Sequence, residues 1–551
     1  MDISEIIAAA GGKDAIARRR DLSVDAVKKW PIIGIPDRHW SALIEMSGGA
    51  FGPEDLYEAN RAARAAAAAT KPGSRAEPAP ARRKTAAVVL AAGKGRRMES
   101  ELTKVMHPLA GRPMIQHVLA GLEALQADRV VVVIGPEAPE VAAAVAPVPT
   151  VIQATQRGTA HAVEAARAAL GSFAGDGDQG DVLVLYGDTP LIRPETLEML
   201  LETRRAPPYP AVVVLGFPAQ DPGEYGRLIV GPDGTLEAIV EASDAGLAEE
   251  ATFLCNSGVV VADGAHLFEL VDEVGNDNPK AEYRLTDIVA IARRKGLACA
   301  YVKADPDELI GTNSRAELAR AEAILQQRLR AQAMRDGATL IDPGTVYFSH
   351  DTRLGRDVVV GPCVFFGPGV TVGDDVEIRP CCHIEGASIA AGAVIGPFAR
   401  LRPGAVIGPG AHIGNFVEVK KARIEAGAQV NHLSYIGDAR VGADANIGAG
   451  TITCNYDGFR KSKTDIGARA FIGSNTALVA PVKVGAGAVV GAGSVITRDV
   501  AADALALGRA GQREVRGWAV KYRAQRRGRK AARAAAKPPA GRSGKQARPK
   551  G

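Results

Sequence analysis

Aromatic residues are scarce in this chain, at 5% of 551 residues, whereas glycine reaches 62 residues. This imbalance indicates a region built from thin aliphatic layers with a turn every few residues. Cysteine is also rare: the six cysteines form no C-x-x-C pair, and no histidine lies at zinc-ligand spacing. The pattern disfavours structural zinc and a disulfide framework.

Long apolar runs are absent too, since none approaches the roughly 18 residues that span a bilayer. The N-terminal segment MDISEIIAAAGGKD lacks the basic region and long apolar stretch of a secretory signal. We therefore expect a cytoplasmic protein without membrane insertion. At 46% hydrophobic and 23% charged residues the chain is globular in composition, and at about 150 residues per domain it predicts three or four folded units.

Positive charge is concentrated at the C-terminus. The net charge is +5, yet residues 521–551 carry twelve Lys or Arg and no acid, which leaves −7 on the rest of the chain. Residues 511–551 are low in large apolar side chains and predict a disordered basic tail. A solubilising extension is the preferred interpretation over contact with nucleic acid or anionic lipid.

The N-terminal region divides into a small module and a linker. The Ala/Pro/Arg-rich stretch 61–84 predicts a linker. Within residues 1–60, the helical patterns KDAIARRR and VDAVKKW resemble the helix-turn-helix of small Cro-like repressors. These 60 residues contain ten acids and seven Lys or Arg, and this net negative charge gives DNA binding only weak support.

Two larger regions follow the linker. Short buried-strand runs alternate with helical patterns over residues 85–315 and predict an α/β domain with a largely parallel sheet. An amphipathic connecting helix is expected over 316–337. In residues 338–510 aliphatic side chains recur every six residues, as at Val360, Phe366 and Val372, which predicts a parallel β-helix.

A glycine-rich turn, LAAGKGRRM, begins at Leu90 directly after the first strand of the α/β region. It lacks the third glycine of the dinucleotide fingerprint and the G-K-[ST] of a P-loop, but its amides, with Arg97 and Lys104 nearby, suit a nucleoside triphosphate. The strand DVLVLY leads to Asp188 at the sheet edge where ligands bind. A carboxylate there suits Mg²⁺, although on its own it is equally an ordinary turn residue.

Further motifs, among them QATQRGTAH from Gln153, YGD from Tyr186 and YGR from Tyr225, occur in the order seen in sugar-1-phosphate nucleotidylyltransferases. Combined with the six-residue repeat, residues 85–510 resemble the bifunctional N-acetylglucosamine-1-phosphate uridylyltransferase/glucosamine-1-phosphate N-acetyltransferase family. The resemblance implies a Rossmann-like α/β nucleotidyltransferase domain followed by a left-handed parallel β-helix of hexapeptide repeats. Residues 1–84 and the basic tail lie outside it.

For the first site, the resemblance implies in-line attack of the sugar phosphate on the α-phosphorus of UTP, with Arg97 and Lys104 stabilising the developing charge. Asp188 and Asn313 are implied to bind Mg²⁺. The implied nucleotide-binding residues are Leu90, Ala91, Ala92, Gly93, Lys104, Gln153, Gly158, Thr159, Tyr186, Gly187 and Asp188, and the implied sugar-binding residues are Gly226, Glu241, Asn256, Glu282 and Asn313. The family usually has Gly at Ala281 and Tyr at Arg284, and both departures lie next to the implied sugar-binding residue Glu282.

For the second site, the resemblance implies that His432 is the general base for the glucosamine amine, oriented by Glu418. The amine attacks acetyl-CoA, and the Tyr456 amide or the Ser474 hydroxyl stabilises the oxyanion. The sugar phosphate is assigned to Arg402, Lys420, Tyr435, Asn446 and Lys461, and acetyl-CoA to Ala449, Asn455, Tyr456, Ser474, Ala492 and Arg509. β-Helices of this family form homotrimers, which places the acetyl sites between subunits.

Two alternatives remain open at this level. The first is a monofunctional sugar nucleotidylyltransferase whose β-helix only assembles subunits; His432 and the loop at Asn455 argue against it. The second is a regulatory or DNA-binding protein with an enzyme-like body, suggested by the helix-turn-helix pattern and the basic tail. The conjunction of Arg97, Lys104 and Asp188 with His432 argues against that second alternative.

Overall fold

The structure is a computed structural model that describes residues 2–20, 22–33, 35, 39–52, 55–56, 58–60, 83–93, 95–174 and 180–535. The chain divides into two compact units, residues 1–84 and residues 85–551. Almost all of the predicted linker lies outside the described residues. Within the described ranges, no helix is both long enough and apolar enough to cross a membrane.

The N-terminal unit is helical. Its apolar side chains, including Ile6, Ile16 and Leu43, pack into a small core of their own, and Asp2 caps the first helix through a capping box with Glu5. The two helices that the sequence patterns predict are present as the second and third elements. The helices are α1 Ile3–Ala9, α2 Lys13–Arg20, α3 Val24–Lys28, α4 Trp30–Ile33 and α5 Trp40–Met46.

The strands of the α/β region are β1 Thr85–Ala91, β2 Pro108–Leu109, β3 Arg112–Pro113, β4 Arg129–Ile134, β5 Thr150–Ile152, β6 Asp181–Tyr186, β7 Val212–Pro218, β8 Arg227–Val230, β9 Leu236–Val240, β10 Leu254–Asp263 and β11 Cys299–Lys303. Strands β2 and β3 pair with each other, and the other nine form a mixed sheet whose main path runs β11-β7-β10-β6-β1-β4-β5. Strands β1, β4, β5 and β6 are parallel, whereas β10 runs antiparallel to both of its neighbours in that path.

Helices cover both faces of this sheet, and each face has its own apolar cluster. All seven side chains of β1 are buried, which explains its unbroken apolar sequence. The helices are α6 Met114–Ala124, α7 Pro139–Val145, α8 Thr159–Ala165, α9 Arg167–Leu170, α10 Pro194–Arg205, α11 Leu247–Glu250, α12 Gly264–Asp272 and α13 Asp287–Arg294. A connecting helix, α14 Arg315–Arg335, then leads into the repeat region and begins at the Ser314 cap.

The repeat region is the parallel β-helix that the six-residue period predicts, and its aliphatic side chains point inward and form one continuous core. It corresponds to the left-handed β-helix of hexapeptide repeats that the family resemblance implies. Three parallel sheets form its faces. The first face contains Thr339–Leu340, Val359–Val360, Glu377–Ile378, Val394–Ile395, His412–Asn415, Gln429–His432, Asn446–Ile447, Phe471–Ile472, Val489–Val490 and Leu505–Ala506.

The other two faces complete each coil. The second face contains Arg353–Leu354, Thr371–Val372, Ala387–Ile389, Ala405–Ile407, Arg423–Ile424, Ala439–Val441, Thr464–Ile466 and Val482–Val484. The third face contains Phe365–Phe366, His383–Ile384, Arg400–Leu401, Glu418–Lys420, Tyr435–Gly437, Ile452–Cys454, Ala477–Val479 and Val495–Ile496. Successive coils pair in register, and in the coils around His432 residues 17 or 18 apart lie side by side.

The C-terminal segment differs from the expectation of disorder in part. Residues 518–535 form helix α15, Trp518–Ala535, whose described side chains are exposed. The helix has few apolar residues to bury, but Ala, Arg, Lys and Gln have high intrinsic helix propensity, and this overrides the compositional signal for disorder. The predicted disorder of 536–551 lies outside the described residues.

Candidate active sites

The glycine-rich turn and Asp188 meet at one edge of the sheet. Strands β1 and β6 are parallel neighbours, with Leu90 opposite Tyr186, and the Gly187 amide donates to the Leu90 carbonyl at 2.9 Å. Both chains leave the sheet here, so the turn and the Asp188 carboxylate lie together as the sequence predicts. The Thr312 amide donates to the Asp188 carbonyl at 2.9 Å and brings the adjoining residue, Asn313, to the same place.

Lys104 joins the two implied metal ligands. Its ammonium donates to Asp188 Oδ2 and, at 3.0 Å, to Asn313 Oδ1. The side chains of Lys104 and Asp188 are only 14% and 12% exposed. A cation is therefore already held by both oxygens in a partly desolvated position, where charge interactions are stronger than in water.

A cavity of about 750 Å³ opens beside this ion pair. Among its lining residues are most of those predicted for the first site, namely Leu90, Ala91, Ala92, Gly93, Lys104, Gln153, Gly158, Thr159, Tyr186, Asp188, Gly226, Glu241, Asn256, Glu282 and Asn313. Arg97 is not among them: its side chain is 63% exposed and pairs at 3.2 Å with Glu224, which does line the cavity. Arg97 therefore lies at the rim and not at the centre.

Several lining residues were missed by sequence reasoning. The Gln156 amide donates to the Ala92 carbonyl and braces the glycine-rich turn. Tyr225 and Ser243 also line the cavity, as does Arg284, which the sequence marked only as a departure from the family. Gln156 lies within the quoted motif QATQRGTAH and Tyr225 within YGR, so the motifs contained a signal, whereas Ser243 lies in a segment without one.

Tyr186 and Asp188 differ in their electrostatic roles. Desolvation of the Tyr186 phenol, reinforced by the Asp188 carboxylate, raises the pKa of Tyr186. The phenol therefore remains protonated at neutral pH and is available as a hydrogen-bond donor. At the edge of the glycine-rich turn, the cavity thus combines the Asp188 carboxylate, the Lys104 ammonium and the neutral Tyr186 phenol.

The second group of predicted residues lies along the corner between the first and third faces of the β-helix. His432 ends its strand on the first face with an exposed ring, and its Nδ1 lies 2.6 Å from Asn415 Oδ1 on the preceding coil. With the amide oxygen as acceptor, Nδ1 carries the proton and Nε2 keeps its lone pair. This tautomer of the neutral ring exposes the Nε2 lone pair that a general base requires.

Glu418 does not fill the orienting role predicted for it. Its Oε1 accepts from Arg402 Nη1 at 2.8 Å, and its Oε2 lies 3.5 Å from Arg400 Nη1. The Asn415 side chain takes the position beside His432 instead. The reason is register: Glu418 starts a strand on the third face and pairs with Tyr435, whereas Asn415 is the direct neighbour of His432 on the first.

Three cations gather near this corner. Lys461 and Arg402 lower the pKa of Lys420 by charge repulsion, and all three were predicted to hold the sugar phosphate. Mutual repulsion among like charges is relieved when an anion binds between them. Tyr435 lies directly beside Glu418 in the sheet, and Asn446 pairs with Gln429 on the first face.

The break in the repeat at Cys454–Lys463 forms a protruding loop. The Asn455 amide donates to Asp438 Oδ2 at 2.5 Å, and the Asn455 carbonyl accepts from the Ser462 amide at 2.9 Å. Tyr456 pairs with Lys461 across the loop and is 60% exposed. The loop is therefore anchored at its base while its aromatic and cationic side chains face solvent.

The residues predicted for acetyl-CoA lie on successive coils. The Ala449 carbonyl accepts from the amide of Asn475, the neighbour of Ser474, at 2.7 Å, and the Ser474 carbonyl accepts from Gly493, the neighbour of Ala492, at 2.7 Å. Arg509 Nη1 donates to the Ala492 carbonyl at 2.6 Å. These residues form a column along the β-helix that suits an elongated ligand.

Comparison with family models supports the division into two chemistries. Residues 87–254 match the MobA-like NTP transferase domain. Residues 351–386 and 386–421 match the bacterial transferase hexapeptide of six repeats, and residues 463–498 match the hexapeptide repeat of succinyl-transferase.

Whole-length relatives decide the family. A bifunctional protein GlmU from Paramagnetospirillum magneticum is 63% identical over 448 residues, which cover 81% of this chain and 98% of the relative. The GlmU protein of Rhodospirillum rubrum is 64% identical over 445 residues, again 81% and 98% of the two chains. The chain belongs to the bifunctional GlmU family. A further GlmU protein, from Xanthobacter autotrophicus, is 57% identical over 443 residues, 80% of this chain and 97% of the relative.

Membership of the GlmU family confirms the predicted fold and enzyme class. The chain is a bifunctional enzyme of UDP-N-acetylglucosamine synthesis: it is an N-acetylglucosamine-1-phosphate uridylyltransferase and a glucosamine-1-phosphate N-acetyltransferase. Its substrates accordingly include a nucleotide and acetyl-CoA. Neither a monofunctional nucleotidylyltransferase nor a regulatory protein with an enzyme-like body is needed to explain the sequence.

Proposed function

We propose that the cavity beside Lys104 performs the uridylyl transfer and that the His432 corner performs the acetyl transfer. In the cavity, the backbone of Leu90–Gly93 and the side chains of Gln153 and Thr159 hold the uridine nucleotide. Glu241 and Asn256 hold the acetylated sugar with its phosphate facing the α-phosphorus of UTP. The phosphate is already ionised, so the site needs charge stabilisation and alignment more than a strong base.

Lys104 supports this assignment most directly. Its ammonium lies between Asp188 and Asn313 at the edge of the turn that cradles the triphosphate. From here it can move onto the phosphate oxygens as charge develops in the transition state. Arg97 lies at the rim, where it pairs with Glu224. When Arg97 leaves Glu224 and binds phosphate oxygens instead, it stabilises the departing pyrophosphate.

The same oxygens fit Mg²⁺. A carboxylate and an amide oxygen are ligands that Mg²⁺ accepts, and both of these oxygens already face the positive charge of Lys104. Within the described residues, no cluster of three or more His, Cys, Asp or Glu side chains offers a complete metal site. Asp188 and Asn313 would hold the ion together with phosphate oxygens, and the ion supplies neutralisation of the triphosphate charge when bound.

At the second site, His432 Nε2 removes a proton from the glucosamine ammonium, and the freed amine attacks the acetyl-CoA thioester. The tetrahedral intermediate collapses with cleavage of the C–S bond, and the CoA thiolate leaves and takes up the remaining amine proton. Asn415 fixes the tautomer and accepts from the imidazolium as it forms. Arg402, Lys420 and Lys461 bind the sugar phosphate, and the column from Ala449 to Arg509 binds acetyl-CoA. Ser474 or the Tyr456 amide stabilises the tetrahedral oxyanion.

A homotrimer completes the second site in this proposal. Phe398 and Phe416, whose rings stack 5.1 Å apart, and Leu433 lie exposed on successive coils beside His432. Such a row of exposed apolar side chains favours coverage by another copy of the chain. We expect Phe416→Glu to dissociate the trimer in sedimentation experiments and to abolish acetyl transfer while uridylyl transfer persists; an unchanged sedimentation coefficient contradicts the interface.

Separate assays of the two half-reactions test the site assignments. Asp188→Asn is expected to lower pyrophosphate release from UTP and N-acetylglucosamine-1-phosphate by about 10²- to 10³-fold, with thiol release from acetyl-CoA unchanged. His432→Gln is expected to give the opposite pattern, with acetyl transfer lowered by about 10²- to 10⁴-fold. Loss of both activities in either variant contradicts two independent sites.

A further inference from the structure

Residues 282–286, here called the strap, cross the first cavity between its nucleotide side and its sugar side. On the nucleotide side the strap pairs with residues 157–160: the Tyr283 amide donates to the Arg157 carbonyl at 2.8 Å, and the Tyr283 carbonyl accepts from Ala160 at 2.9 Å. The Leu285 amide donates to Thr159 Oγ1 at 2.9 Å. The odd-numbered residues of the strap therefore bind the segment that holds the nucleotide.

The side chain of Tyr283 strengthens this attachment. Arg157 Nη2 donates to the Tyr283 hydroxyl at 3.1 Å, and the guanidinium carbon lies 4.9 Å from the ring centroid. Gly158 has φ of +120°, and a Cβ there would overlap the Tyr283 backbone. The two segments thus approach too closely for any other residue at 158.

Arg284 and Thr286 bind the opposite wall. Arg284 Nη1 donates to the Asp244 carboxylate, and Thr286 Oγ1 donates to Glu241 Oε1 at 3.0 Å. The Arg284 side chain is only 12% exposed, and both Arg284 and Glu241 line the cavity. Arg284 also faces Glu241 and Asp287, two further carboxylates. Its charge therefore holds an acidic wall in place where the sugar binds.

We propose that the strap couples binding of the two substrates and that Arg284 is the positioning residue on the sugar side. This inference rests on the proposed placement of nucleotide and sugar in the cavity. A nucleotide seated against residues 158–159 fixes Tyr283 and Leu285, and the alternating contacts then fix Arg284 and Thr286. Glu241 is held in the orientation that receives the sugar, so the second ligand meets a wall that is already ordered.

Coupling of this kind is reciprocal, because each ligand must change the affinity for the other by the same factor. We expect a non-reactive nucleotide, the α,β-methylene analogue of UTP, to tighten binding of N-acetylglucosamine-1-phosphate by about 5- to 150-fold. Calorimetric titration of the full chain, with and without the analogue, measures this factor. The reverse titration, analogue into sugar-bound protein, must give the same value.

Arg284→Met preserves side-chain length and apolar packing but removes the charge. We expect the coupling factor to fall toward one in this variant, with the affinity for the nucleotide analogue alone unchanged. Arg284→Lys should restore part of the factor. Adding Asp244→Asn to Arg284→Met should cause no further loss, because the two residues act as one pair. Arg294→Met, at an exposed arginine of α13 outside the cavity lining, is the matched control and should keep the full factor.

The outcomes separate the two levels of the proposal. If Arg284→Met retains the wild-type coupling factor, the strap is not the coupling element, although both ligands still bind the cavity. A wild-type coupling factor of one overturns the strap in the same way. If neither ligand binds the wild-type chain competitively with UDP-N-acetylglucosamine, the placement of the substrates fails and the strap proposal fails with it.

Discussion

Asn415 and His432 lie side by side on neighbouring coils of the β-helix, with 2.6 Å between Asn415 Oδ1 and His432 Nδ1. The contact leaves Nε2 as the basic nitrogen. In the proposed acetyl transfer a neutral amide would accept from the imidazolium, because Glu418 is engaged with Arg402. The histidine ring is therefore oriented by a residue that the sequence motifs did not indicate.

Replacing Asn415 tests this relationship. Asn415→Ala removes a hydrogen bond to a group that becomes charged in the reaction, so kcat of acetyl transfer should fall about 10- to 100-fold. Asn415→Asp keeps the acceptor and adds a negative charge, which raises the pKa of His432 and moves the acidic limb of the pH–rate profile to higher pH. An Asn415→Asp profile identical to wild type contradicts the contact. Uridylyl transfer is the internal control.

Lys104 competes with a metal ion for Asp188 and Asn313. Lys104→Met removes a positive charge from the two oxygens, so Mg²⁺ should bind more tightly in calorimetric titrations even though uridylyl transfer falls by about 10²- to 10³-fold. Tighter Mg²⁺ binding together with slower uridylyl transfer distinguishes a catalytic cation from a residue that only supports the fold. Weaker Mg²⁺ binding in Lys104→Met, in a chain that retains acetyl transfer, contradicts the assignment.

Lys461 is predicted to bind the phosphate of glucosamine-1-phosphate. Lys461→Ala should raise KM for this substrate about 10- to 100-fold with a smaller effect on kcat. Lys461 lowers the pKa of Lys420, so Lys420 loses its proton at a lower pH in wild type than in the variant. The alkaline loss of substrate affinity should therefore move to higher pH in Lys461→Ala.

Lys463 provides a control in the same loop. Its side chain lines a different groove, on the second face of the β-helix, so Lys463→Ala should leave both KM and the alkaline limb unchanged. Equal effects of the two variants point to a general loss of positive charge and not to a phosphate contact.

His117 links stability to pH near the junction of the α/β region and the β-helix. Its Nε2 donates to the Leu109 carbonyl at 2.8 Å, and its ring meets that of His350 with centroids 6.0 Å apart. Burial lowers the pKa of His117 to about 4. The unfolded state therefore binds the proton more tightly than the folded state. The contribution of neutral His117 to the free energy of unfolding is fully present above the unfolded pKa of about 6.5, and it declines by up to about 3 kcal/mol as pH falls toward 4.

His117→Gln keeps a donor to Leu109 but does not titrate. Calorimetric unfolding of wild type and variant should give melting temperatures that approach each other as pH falls from 7.5 to 5. Only wild type is destabilised over this range, because folding keeps its His117 imidazole neutral while the unfolded chain becomes protonated. A constant difference across this range contradicts the lowered pKa. Comparing the two chains removes the contribution of carboxylates that titrate in both.

Much of the first site can be predicted from the sequence because its functional residues follow the ends of buried strands. Lys104 and Asp188 follow short motifs next to buried strands, and the parallel order of β1 and β6 brings them together. Asn415 was missed because the aliphatic pattern predicts the coil register but not which polar side chain meets the His432 ring on the neighbouring coil. The Asn415 and His432 side chains come together only once the coils are stacked.

The strap illustrates the same limit at longer range. Arg284 and Asp244 are 40 residues apart, and Arg157 and Tyr283 are 126 residues apart. Neither pair has a spacing that predicts contact. In the basic tail, the composition predicts disorder because it lacks the side chains to build a core. Residues 518–535 nevertheless form α15, because a helix needs no core to form its own backbone hydrogen bonds.

The central claim, that two separate sites on one chain act in sequence, is tested most directly by mixing two inactive variants. Asp188→Asn and His432→Gln are each incubated with glucosamine-1-phosphate, acetyl-CoA and UTP, alone and together, and UDP-N-acetylglucosamine is quantified. Each variant alone should yield almost none, and the mixture should restore formation, because N-acetylglucosamine-1-phosphate diffuses from one protein to the other. Product from either variant alone, or none from the mixture, contradicts the account.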